Sequence, residues 1–94
     1  MENELIFDLY CRCIRSSEEL HVALAALLNF PAYYGRNYDA LRDCLADKAL
    51  ETPFLLRIHG WDTLEEQLGL PRCVALRHVL QDCAEECSFS YVID

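Results

Sequence analysis

The chain has 94 residues and a net charge of −8, from eight Lys and Arg against sixteen Asp and Glu. With 53% hydrophobic and 26% charged residues, and only three Gly and three Pro, it reads as a single domain over 1–94 with a small core; multidomain enzymes and disordered or collagen-like chains are excluded. Such a surface repels phosphate backbones and attracts basic proteins, so a basic protein partner is expected and direct nucleic-acid binding is not.

The chain opens on the acidic Met1, Glu2, Asn3 and Glu4, where a secretory signal needs a basic start, and its longest apolar run is 22–28. A cytoplasmic protein without a membrane span is expected. In that compartment the six cysteines stay reduced. Cys11 and Cys13 have one residue between them and Cys83 and Cys87 three, with no Cys-x-x-Cys pair, so buried thiols are expected instead of a metal site.

Residues 5–10 form a short β-rich run, and Ser16 with Glu19 has the spacing of a capping box. A first helix follows to about Leu28, with Leu20, Leu24, Leu27 and Leu28 on its inner face, and Phe30-Pro31 stops it. Its other side shows Val22, Ala25, Ala26 and Asn29, small or neutral residues that fit a monomer but would also allow a close symmetric contact. A loop over 31–36 precedes Asn37, a good N-cap, and a second helix to about Ala46 turns Ala40, Leu41, Cys44 and Leu45 inward.

After Pro53, the dense apolar run 54–58 reads as a strand covered on both faces. Asp62 caps a short helix carrying Leu64 and Leu68, with Trp61 as a core anchor beneath it, and Gly69 ends it. Pro71 opens a last helix with the stripe Cys73, Leu76, Leu80, Cys83 and Cys87, and 89–93 is the third strand. Strands separated by helices need crossovers, so the fold class is α/β: a three-stranded parallel sheet with about four helices packed against it.

On the second helix, Asp39, Asp43 and Asp47 stack like charges at i, i+4 and i+8, each pair costing about 0.2–0.5 kcal/mol. Asp39 lies in the first turn, where the helix dipole welcomes it; Asp43 and Asp47 lie farther on, where it does not. Either they form a solvated face offset by Arg42 and Lys48, or they await a cationic partner. Tyr33 and Tyr34 stand just before this helix, and aromatic rings beside carboxylates make a surface that stacks on rings and binds cations. His21, His59 and His78 lie on separate segments and read as surface or internally satisfied side chains; no nucleophile elbow or phosphate loop is present, so no catalytic residues and no cofactor are assigned.

The segment 30–45, Phe-Pro-Ala-Tyr-Tyr-Gly-Arg-Asn-Tyr-Asp-Ala-Leu-Arg-Asp-Cys-Leu, resembles the signature of the barstar family of bacterial ribonuclease inhibitors. The resemblance implies a protein that covers the active site of a small basic secreted ribonuclease of the barnase type, as an immunity protein or antitoxin. Asp43 matches the central carboxylate that would enter the phosphate pocket, Asp39 would pair with a neighbouring cation, and Tyr33 would stack on the catalytic histidine. Gly35 and Asn37 would add contacts along the loop, Asp82 a further acid from the last helix, and Arg42 and Asp47 belong to the same surface. Arg36 and Arg42 depart from the family's acidic residue and tryptophan, which puts the cognate enzyme in question. The alternative is a non-enzymatic interaction module of the same fold that binds another basic partner or itself.

Overall fold

The computed structural model describes residues 5–94, and the acidic start at Met1 to Glu4 lies outside them. Three strands, β1 (Leu5–Tyr10), β2 (Phe54–His59) and β3 (Phe89–Ile93), form one parallel sheet in the order β1-β2-β3. Four helices complete it: α1 (Ser17–Leu28), α2 (Tyr38–Glu51), α3 (Trp61–Leu68) and α4 (Leu70–Glu86). The parallel sheet with its helical crossovers and the three strands are as the sequence predicts. A 3-10 turn at Cys11–Cys13, which no sequence pattern announced, links β1 to the approach to α1.

The core forms where the helices meet the inner face of the sheet. Phe54, Leu56, Ile58 and Phe89 from the strands meet Leu20, Leu24 and Leu28 of α1, Leu41 and Leu45 of α2, and Leu76, Leu80 and Cys83 of α4 in one cluster. The two-face covering expected of β2 is not observed: Phe54, Leu56 and Ile58 are buried, whereas Leu55 is half-buried and Arg57 exposed. Alternation of this kind means that one face is packed and the other is solvated. On the outer face the register partners Asp8 and Arg57 form a two-bond ion pair at 2.7 and 3.1 Å.

Three boundaries differ from the sequence reading. The second helix continues past Ala46 to Glu51, because Thr52, preceding Pro53, is the first residue forced out of helical space. The third helix starts at Trp61, not after Asp62: Gly60, left-handed at φ 85°, supplies the N-cap, and Asp62 bonds only the neighbouring Thr63 amide at 3.0 Å. Pro71 sits one residue inside α4, whose helical span begins at Leu70. Ser16 does cap α1 through the Glu19 amide at 3.1 Å, while Glu19 returns to the Arg15 amide at 2.8 Å.

Candidate functional site

The loop between α1 and α2 turns one tyrosine inward and one outward. Asn29, left-handed at φ 58°, ends α1, and the Tyr34 amide donates to the Pro31 carbonyl at 3.0 Å, folding the segment tightly. Tyr34 is buried against Phe30, and its hydroxyl meets Nδ1 of His21. Burial, and after it the nearby Arg36, lowers the His21 pKa, which favours the neutral ring; burial raises that of Tyr34. Tyr33 is 84% exposed. The loop thus presents one aromatic ring on a support fixed from inside the core.

Asn37 then starts α2. Its Oδ1 accepts from the Ala40 amide at 2.8 Å and its Nδ2 donates to the Gly35 carbonyl at 3.2 Å, so both ends of the amide are engaged within the loop and cap. A Cβ on Gly35 would stand 3.2 Å from that Nδ2, which ties the glycine to the cap. Tyr38 donates its hydroxyl to the Arg72 carbonyl at 3.0 Å and fastens the helix start to α4.

On the outer face of α2, Asp39, Asp43 and Asp47 are all exposed. The longer helix adds Glu51 to the same i+4 row, a fourth acid that the predicted end at Ala46 missed. The signal for it was Pro53, read as a strand start and not as the limit of the helix before it. Among the described residues none of the four acids has a cation within ion-pair distance, although three cations are close in sequence. Arg36 donates to Glu18 of α1 at 3.1 Å. Arg42 crosses to Asp82 of α4 at 2.6 Å and not to Asp39, three residues away. Lys48 holds its ammonium 5.0 Å from the Phe7 ring and 5.9 Å from that of Phe54. Neither Arg42 nor Lys48 forms an ion pair with the row among the described residues.

Beside the row, an open cleft of about 390 Å³ lies between the loop and α2, lined by Phe30 and Tyr33 from the loop side and by Asp47, Lys48 and Glu51 of α2. Exposed carboxylates on a rigid helix next to an exposed aromatic ring form a ready receptor for guanidinium, ammonium and imidazolium groups. Of the residues expected at the site, Tyr33, Asp39, Asp43 and Asp47 share this exposed surface. Asn37 and Gly35 support it from the loop, and Arg42 with Asp82 forms a paired edge toward α4.

The remaining titratable groups do other work. The Cys44 thiol is half-buried, and burial followed by the charges of Asp47 and Asp43 raises its pKa, the opposite of an activated nucleophile. Cys11, Cys73 and Cys83 are buried as expected, Cys44 and Cys87 only partly, and Cys13 is exposed, because the 3-10 turn points it outward. Trp61 is buried, its indole donating to Glu65 at 3.1 Å, which makes it the core anchor expected. His59, read from sequence as a surface or internally satisfied side chain, is joined by the sheet to Asp8 at 2.8 Å and Asp94 at 3.1 Å. These partners are 51 and 35 residues away, a distance at which spacing gives no signal. No helix among the described residues is long and apolar enough to cross a membrane.

The family described as Barstar (barnase inhibitor) matches residues 5–92, nearly the whole chain. The chain is also 37% identical over 75 residues to a Bacillus subtilis (strain 168) protein named "Putative ribonuclease inhibitor YrdF", with 80% of each chain covered.

Proposed function

The chain belongs to the barstar family, and we propose that it inhibits a small basic ribonuclease by laying the outer face of α2 and the loop before it over the enzyme's active site. Family and relative both point to an inhibitor and not to an enzyme. The observation that carries the reading is the exposed row of Asp39, Asp43, Asp47 and Glu51, which makes no ion pair among the described residues, with Arg36 paired to Glu18 and Arg42 to Asp82.

A ribonuclease site is a cationic concavity shaped to hold phosphate. Carboxylates fixed on a helix imitate that phosphate with little ordering cost, because the cap at Asn37 and the core beneath have already set their positions. In this assignment Asp43 enters the phosphate pocket, Asp39 and Asp47 meet cations on either side, and Tyr33 stacks on an aromatic or imidazole ring of the enzyme. Gly35 and Asn37 hold the loop that presents them. The net charge of −8 steers a basic enzyme toward the surface before contact.

The test is inhibition of barnase, or of a basic ribonuclease captured on the immobilised protein, followed by stopped-flow association at low and physiological salt. A stoichiometric inhibitor whose on-rate falls steeply with salt supports the reading. An on-rate indifferent to salt, or binding without inhibition, favours the interaction module of other purpose.

A further inference from the structure

Arg42 and Asp82 define one edge of the acidic face. The guanidinium Nη2 donates to Asp82 Oδ2 at 2.6 Å, and both side chains remain nearly half exposed, 44% and 47%. Two effects follow. Asp82 is occupied, so it is not offered to an incoming cation. A guanidinium stands where the row of carboxylates meets α4, so the negative field is weakened at that edge.

The pair is not what holds the helices together. Leu41 and Leu45 of α2 share one core with Leu76 and Leu80 of α4, and the Cys83 thiol approaches the Arg42 carbonyl at 3.8 Å, a backbone contact that survives any change of the Arg42 side chain. Exposed ion pairs add little to stability. A charge placed at the rim of an otherwise single-sign surface acts chiefly on which partners are accepted.

We propose that Arg42 is a specificity-determining residue: by holding Asp82 and presenting its own charge, it selects against ribonucleases that carry a cation opposite the α2–α4 edge. This rests on the inhibitor reading above. The fitting enzyme is cationic where it meets Asp39, Asp43 and Asp47, and neutral or acidic where it meets this edge. A nuclease basic over its whole rim must bring a cation against the guanidinium, with Asp82 already engaged.

The experiment measures the affinity of barnase for the wild-type protein and for Arg42→Gln, Asp82→Asn and Arg12→Gln. Arg12, exposed in the 3-10 turn, controls for net charge, since its replacement makes the chain more acidic by the same one unit. The expected result is that Arg42→Gln binds about tenfold tighter or more than Arg12→Gln, a difference equal to about 1.4 kcal/mol, while Asp82→Asn binds more weakly than wild type. A purely structural pair would weaken binding in both variants, so the opposite signs isolate charge. Arg42→Gln that binds no better than Arg12→Gln, or Asp82→Asn that does not weaken binding, overturns the proposal while leaving the inhibitor reading intact. Failure of both wild type and Arg42→Gln to bind barnase or any captured basic ribonuclease overturns both. Circular dichroism and urea unfolding of each variant confirm the fold.

Discussion

Tyr33 and Tyr34 are adjacent in sequence and opposite in environment: the first is 84% exposed, and the second is buried with its hydroxyl against Nδ1 of His21. The two substitutions should therefore separate cleanly. Tyr34→Phe removes one partner of a buried bond and should destabilise by about 1–3 kcal/mol, whereas Tyr33→Ala should leave unfolding within about 0.5 kcal/mol of wild type and act on ribonuclease binding alone. Urea melts and an inhibition assay on the pair give the answer; a Tyr33→Ala protein that inhibits like wild type removes the loop from the site.

Asp43→Ala should move stability and binding in opposite directions. It relieves like-charge pairs with Asp39 and Asp47 and places the best helix former in mid-helix, so unfolding free energy should rise by about 0.5–1 kcal/mol. Binding to the ribonuclease should weaken by about 2 kcal/mol or more, since the enzyme's cations lose their central partner. Calorimetry of both processes tests the combination, and a gain in stability with unchanged affinity would show the row to be merely a solvated face.

The thiols should react in three groups. Cys13 is exposed, Cys44 and Cys87 are half-buried, and Cys11, Cys73 and Cys83 are buried, with desolvation pushing Cys11 and Cys83 up to about 11. Titration of the reduced native protein at neutral pH with a coloured disulfide should show Cys13 first and the buried three only on unfolding, when six react in all. Rapid native reaction of all six would contradict the packing described.

Stability should also fall away on both sides of a weakly acidic optimum, through the outer face of the sheet. Hydrogen bonds to Asp8, then to Asp94, raise the His59 pKa above its ordinary 6.5, so its contribution is complete below 6.5 and is lost as pH rises through the folded value. Bonds from Arg57 and then His59 lower Asp8 from 3.8 to about 2, so its contribution is complete above 3.8 and is lost as pH falls toward about 2. Thermal melts of wild type and His59→Gln should differ most between pH 3.8 and 6.5 and converge as pH rises through the folded His59 value; a constant difference would mean that His59 acts through packing alone.

Local signals carried most of the architecture. The cap at Asn37, the stop at Phe30-Pro31 and the apolar runs of the strands are readable because each depends on residues within a turn of one another. The aspartate row was readable for the same reason, since its spacing is that of one helix. What escaped depends on tertiary proximity: the Arg42 partner is 40 residues away and the His59 partners farther or nearly as far. Glu51 is a different case, a local signal overlooked because Pro53 limits the helix before it as well as opening the strand after it.

The order of the elements has a consequence for how the chain becomes competent during its synthesis. Both neighbour pairings of the sheet need β2, the central strand, which begins only at Phe54, after the whole of the acidic helix has been made. That helix is braced by α4, whose last residue is Glu86, and α4 is in turn followed by β3. A nascent chain of 60 residues would hold the entire Tyr33 to Glu51 segment and yet lack the wall it rests on. Fragments ending before α4 should accordingly carry the recognition sequence without its rigidity, and would have to meet the ordering cost at the moment of contact with an enzyme.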